Sequence, residues 1–173
     1  MNIVLLGMPL SGKTTIGKVI SEILSIKHID LDCEIENSYG DNIYNLFLSF
    51  GEKEFRRIEC ECLKEVSSDN AHVLSLGGGT ANALNFRTIQ SYSNRVWLKC
   101  SLDEIIKRYN HNERSEKKRP LLYNTNNLIK KLNQLYTSRE TFFNDLANIK
   151  VDTSFSKNNE VAKQVIIKIN EPN

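Results

Sequence analysis

The octapeptide GMPLSGKT, residues 7–14, directly follows the apolar run Ile3, Val4, Leu5, Leu6 and precedes a helical pattern. It fits G-x-x-x-x-G-K-[ST], and its setting between a strand and a helix limits what the chain can fold into, because such a loop works only where a strand delivers it to a helix N-terminus. Gly7 and Gly12 let the chain curl so that successive backbone N–H groups point inward, with Pro9, Leu10 and Ser11 forming the rim between them. Lys13 can then reach the β- and γ-phosphates of a nucleotide, and the Thr14 hydroxyl can meet Mg²⁺. An accidental match in a glycine-containing turn is the bland alternative. The strand before and the helix after argue for a phosphate-binding nest.

With 173 residues the chain suits one compact α/β domain. A formal net charge of +2 is too mild to imply a nucleic-acid or membrane surface, though it tolerates a small polyanionic ligand. Four cysteines, at 33, 60, 62 and 100, lack C-x-x-C spacing, so neither a zinc site nor a disulfide framework is indicated and reduced thiols are expected. The N-terminal apolar run is too short for a signal segment or a membrane span, and a cytoplasmic, soluble protein is expected.

Downstream of the loop, residues 14–24 carry Ile16, Val19, Ile20, Ile23 and Leu24 at the spacing of a helix packed on a sheet. A second strand is expected over 28–31, running into Asp32. In an extended chain residues two apart share a side, so Asp30 and Asp32 are both expected to face the region beyond that strand's end. Residues 33–67 read as helix in pieces, with breaks at 39–41 and near Phe50 and Gly51. Within them, Arg56 with Glu59 and Arg57 with Glu61 fall at helical spacing, for which exposed ion pairs are the default.

A short apolar strand over 72–76 opens into Gly77, Gly78 and Gly79, a composition suited to close approach of the backbone to another group. A helix over 83–89, a strand over 95–99 and a helix over 102–109 follow. This alternation argues for a mainly parallel sheet with helices on both faces, in which ligands sit beyond the carboxyl ends of the strands. The phosphate loop, the aspartate pair and the glycine triplet should therefore gather on one edge. Residues 110–124 are basic and aperiodic, a solvated loop or a lid over phosphates. Residues 128–146 read as a helix containing Arg139, followed by a strand over 150–152 and a helix over 160–169.

Taken in order, GMPLSGKTT, the pair Asp30 and Asp32, FRRIE at 55–59, LGGG at 76–79, RPLL at 119–122 and Arg139 resemble the shikimate kinase family over nearly the whole chain. The resemblance implies a P-loop fold of the nucleoside-monophosphate-kinase type: three layers, a five-stranded parallel sheet, a helical substrate-binding excursion at about 33–61 and a mobile lid at about 110–124, all in one domain over 1–173. It implies ATP-dependent phosphorylation of the 3-hydroxyl of shikimate, with Mg²⁺ as cofactor, in the pathway to chorismate and the aromatic amino acids. It also implies a monomer with no nucleic-acid or membrane partner.

Carried over by position, Gly7, Pro9, Leu10, Ser11, Gly12, Lys13, Thr14 and Thr15 would hold ATP. Thr14 and Asp30 would serve the metal. Asp32 would position, or deprotonate, the attacking hydroxyl. Arg56 and Arg139 would pair with the substrate carboxylate, and Gly78 and Gly79 would approach the substrate through their backbone. Arg119 would reach the transferring phosphate and join Lys13 and Asp32 as a catalytic group, and Arg108 would lie near the adenine. The chain departs from the family pattern at Leu10, where a small residue, commonly Gly, is usual. It departs again at Arg139, Glu140, Thr141, Phe142, Phe143, where R-x-P-L-Y is usual, and in a longer stretch between Arg108 and Arg119. A gluconate-type or nucleotide kinase of the same fold remains a rival reading, as does a nucleotide-dependent switch. Two arginines with an aspartate pair favour a polyhydroxy acid as acceptor, and no N-K-x-D motif is present.

Overall fold

The computed structural model describes residues 1–111 and 127–171. Five strands, β1 (Asn2–Leu6), β2 (Lys27–Asp30), β3 (His72–Ser75), β4 (Asn94–Lys99) and β5 (Ile149–Asp152), form one sheet in the order β2-β3-β1-β4-β5. Every pairing is parallel, with Val4 level with Leu74 on one side and Arg95 on the other. Parallel strands need both faces covered, and β1 shows how the sequence supplies this. Ile3 and Leu5 point to one face, Val4 and Leu6 to the other, and all four are buried.

The face of Ile3 and Leu5 packs against α1 (Lys13–Leu24), through Ile16 and Ile20, and α7 (Asn158–Asn170), through Val161, Ala162 and Val165. The opposite face meets α2 (Leu31–Tyr39), α3 (Ile43–Ser67), α4 (Phe86–Gln90) and α6 (Leu128–Leu146) in a larger core that includes Phe55, Leu63, Trp97 and Phe143. Each fully buried aliphatic side chain in these layers contributes about 1.5–3 kcal/mol relative to exposure. The short helix α5 (Leu102–Asn110) follows β4 and is capped by the Ser101 hydroxyl, which accepts from the Glu104 N–H.

The helical excursion breaks where glycine permits it. Gly40 ends α2 at φ 70°, and Gly51, at φ 74°, interrupts α3 with a kink. Two expectations need correction. The second strand ends at Asp30 rather than continuing toward Asp32, because the Asp30 carboxylate accepts from the Asp32 N–H and starts α2 at Leu31. The helix expected over 83–89 begins only at Phe86, since the Asn82 side chain accepts from the Leu84 and Asn85 N–H groups and holds that stretch as a turn. The basic segment expected as a lid lies outside the described residues from position 112 onward. No described helix is long and apolar enough to cross a membrane, and Cys33, Cys60, Cys62 and Cys100 are free thiols.

Candidate active site

The carboxyl ends of β1, β2 and β3 lie side by side, so the segments leaving them share one cavity of about 800 Å³. Its walls include Pro9, Lys13, Asp32, Arg56, Gly78 and Arg139. The expectation that the phosphate loop, the aspartates and the glycine triplet converge on one edge therefore holds. Gly12 precedes α1 at φ 94°, a left-handed turn that lets the loop fold over the helix N-terminus. Lys13 Nζ donates to the carbonyls of Gly7 (3.0 Å) and Met8 (2.9 Å), which holds the ammonium over the loop. Beneath it the Ser11 hydroxyl is fully buried and has no hydrogen-bond partner among the described residues.

Asp30 joins the loop to the next element. Its Oδ2 accepts from Thr14 Oγ1 at 2.5 Å while its Oδ1 accepts from the Asp32 N–H at 3.1 Å. A hydroxyl and a carboxylate side by side form a hard, oxygen-only donor pair, and the described residues contain no cluster of three His, Cys, Asp or Glu able to hold a metal alone. That pattern fits Mg²⁺, which takes one or two protein oxygens together with substrate phosphates, and does not fit a dedicated protein cage. Asp32 is the second residue of α2 and is partly buried. Burial by the cavity walls pushes its carboxyl up to about 7, the nearby charges of Asp30 and Glu59 push the same way, and Lys13 opposes them.

The far end of the cavity is built around a buried carboxylate. Glu59 is 1% exposed, and both its oxygens are engaged: Oε2 accepts from Arg56 Nη1 at 2.9 Å, and Oε1 from Thr80 Oγ1 at 2.6 Å. The expected surface pair of Arg56 and Glu59 is thus a buried one, because position 59 falls on the core-facing stripe with Phe55, Leu63 and Val66. The neighbouring pair of Arg57 with Glu61 is exposed, as expected. Arg139 is also buried, seven residues from Leu132 and four before Phe143 on the inner face of α6. Burial pulls its guanidinium down to about 10, with repulsion from Arg56 adding and Glu59 opposing, so it stays charged at neutral pH. Two guanidinium groups lie against the buried Glu59 carboxylate, with the exposed Glu52 carboxylate 3.7 Å from Arg56 Nη2 on the solvent side.

The glycine triplet after β3 accounts for its own composition. A Cβ on Gly77 would fall 2.5 Å from Asp32 Oδ1, one on Gly78 2.7 Å from Pro9 Cγ, and one on Gly79 2.6 Å from Arg56 Nη2. Each glycine makes room for a different wall of the cavity. Sequence reasoning placed Gly77 on this edge without a role, and it gave none to Glu59, Thr80 or Thr153. Arg108, expected near the adenine, lines the cavity with its guanidinium nitrogens bonded to Glu104, Leu10 and Thr153. Arg119 lies outside the described residues.

A sequence model of the family described as shikimate kinase matches residues 9–170. The chain belongs to the shikimate kinase family. The shikimate kinase of Staphylococcus aureus strain Newman is 34% identical over 168 residues, covering 95% of this chain and 91% of the relative. The structure of the shikimate kinase from Acinetobacter baumannii in complex with shikimate superposes with a TM-score of 0.89 at 30% identity, covering 97% and 92%. A gluconokinase from Sinorhizobium meliloti shares the fold at a TM-score of 0.64 and 15% identity, which speaks to architecture alone. Leu10, where the resemblance led us to expect a small residue, adopts φ 66°.

Proposed function

We propose that this chain transfers the γ-phosphate of ATP to the 3-hydroxyl of shikimate, giving shikimate 3-phosphate and ADP on the way to chorismate. The observation that carries this reading is a single cavity with a phosphate loop at one end and two neighbouring guanidinium groups, Arg56 and Arg139, at the other. An acceptor that suits both ends bears a carboxylate and, a few ångströms away, a hydroxyl.

In this reading Arg56 and Arg139 take the carboxylate, where planar guanidinium groups give paired, charge-assisted hydrogen bonds. Glu59 and Thr80 fix Arg56 for that contact. Asp32 then meets the reacting hydroxyl, and a carboxyl raised to about 7 suits accepting its proton near neutrality. Lys13 exchanges its carbonyl partners for phosphate oxygens and follows the charge that spreads over them during transfer. Gly7, Pro9, Leu10, Ser11, Gly12, Thr14 and Thr15 form the rest of the phosphate loop, and backbone groups of Gly78 and Gly79 border the acceptor. Thr14 and Asp30 would hold Mg²⁺, whose chemistry when bound is to neutralise charge on the transferring phosphate. Arg119 is assigned to that phosphate from the sequence alone. These parts form one kinase domain over 1–173, with its acceptor-binding excursion at about 33–61.

The test is ADP release by the purified chain with ATP, Mg²⁺ and, in parallel, shikimate, gluconate or nucleoside monophosphates. Turnover should require shikimate. Comparable turnover with either of the other acceptors would move the assignment to a different kinase of this fold.

A further inference from the structure

Two described residues other than glycine have positive φ, Leu10 at 66° and Ser25 at 54°. Ser25 is the C-cap of α1, where such a conformation is ordinary, but Leu10 sits inside the phosphate loop. For a residue with a side chain, the left-handed region is disfavoured by about tenfold or more in an equilibrium. Inside the loop the Ser11 N–H donates to the Met8 carbonyl at 3.2 Å and closes a turn over Pro9 and Leu10, and two side chains from outside the loop add to that hold. Arg108 Nη1, from α5, donates to the Leu10 carbonyl at 3.0 Å, and Nη2 donates to the Thr153 carbonyl at 2.7 Å. Its Nε is fixed by Glu104 Oε1 at 2.9 Å. Thr153, just beyond β5, places Oγ1 3.1 Å from the next loop carbonyl, that of Ser11, and 3.0 Å from the Lys99 carbonyl, so its one proton is shared between the loop and β4. Consecutive carbonyls of the phosphate loop are therefore gripped from two distant elements.

We propose that Arg108 is a positioning residue that, together with Thr153, braces the strained Leu10–Ser11 stretch in its phosphate-receiving shape. The brace uses the edge of the guanidinium, so any stacking of a nucleotide base on its face is a separate role that the test must separate. Without the brace, Leu10 returns to an ordinary backbone conformation in most molecules, and the apparent affinity for phosphate falls with the competent fraction. Glycine at position 10 carries no such strain and has little need of the brace. The inference rests on the nucleotide-binding reading of this loop.

The experiment is a double-mutant cycle of Leu10→Gly and Arg108→Ala, read by calorimetric titration with two probes, ADP and inorganic tripolyphosphate. Arg108→Ala should weaken both probes by about tenfold in the Leu10 background and by less than about threefold beside Leu10→Gly. An equal loss in both backgrounds, or a loss for ADP with none for tripolyphosphate, would overturn the brace. Arg108→Lys keeps the charge but cannot span the two carbonyls, so it should follow the alanine variant and can carry the cycle should that variant fail to fold. Wild-type affinity in the lysine variant would also overturn the brace. Binding of neither probe by the wild-type chain would overturn the nucleotide reading itself, and the brace with it.

Discussion

At the scale of single residues, Asp32 and Glu59 show how burial assigns different work to two carboxylates. Asp32 is held up to about 7 by burial and by the charges of Asp30 and Glu59, whereas an unfolded aspartate titrates near about 3.9. Between those values the native chain keeps a proton that the unfolded chain releases, so this group lowers stability as pH rises through the window. Asp32→Asn removes that penalty. Its stability should exceed the wild type by about 1–3 kcal/mol at pH 8, and the gap should close toward pH 4, as denaturant melts at the two pH values will show. Activity should run the other way: wild-type kcat/KM for shikimate should fall below about pH 7 as Asp32 takes up its proton. Glu59 instead anchors. Glu59→Ala removes the buried counter-charge of Arg56 and Arg139, leaving only the exposed Glu52, and should cost about 3–5 kcal/mol in a chemical melt, with the shikimate KM raised. An exposed pair such as Arg57 with Glu54, screened by solvent, should lose far less on the same treatment.

At the scale of elements, the turn after β3 is the most sharply determined piece of the site. Its three glycines face Asp32, Pro9 and Arg56 in turn, so an added methyl group should produce three different kinetic signatures. Gly77→Ala displaces the Asp32 carboxylate and should lower kcat. Gly78→Ala presses on the phosphate loop through Pro9 and should raise the ATP KM, and Gly79→Ala pushes Arg56 and should raise the shikimate KM. Effects of about tenfold are expected in each, since misplacement by a fraction of an ångström to an ångström costs on that order or more in a positioned site. Identical losses in all three, with lowered melting temperatures, would mean that the turn is only structural.

At the scale of the whole molecule, the sheet decides where the chemistry is, and much of that was legible beforehand. Alternating β and α patterns imply parallel strands, parallel strands share a carboxyl edge, and β1, β2 and β3 proved to be neighbours, so three motifs far apart in sequence came together. What escaped the sequence has physical causes. The stretch Ile29, Asp30, Leu31, Asp32 alternates like a strand, but a capping bond from Asp30 to the Asp32 N–H turns it into a helix. Glu59 stands at a core-facing position of α3, a signal present in its spacing, yet the usual preference of charges for solvent hid it. The tie of Thr153 to the Ser11 carbonyl spans 142 residues and leaves no local trace.

The central claim is that the two ends of one cavity act together on one acceptor. The most direct measurement of it is phosphorus NMR of the purified chain turning over ATP, Mg²⁺ and shikimate. A phosphomonoester resonance coupled to the ring proton at C3 should appear and grow in step with ADP. ADP accumulating with inorganic phosphate alone, or an ester at another hydroxyl, would contradict it.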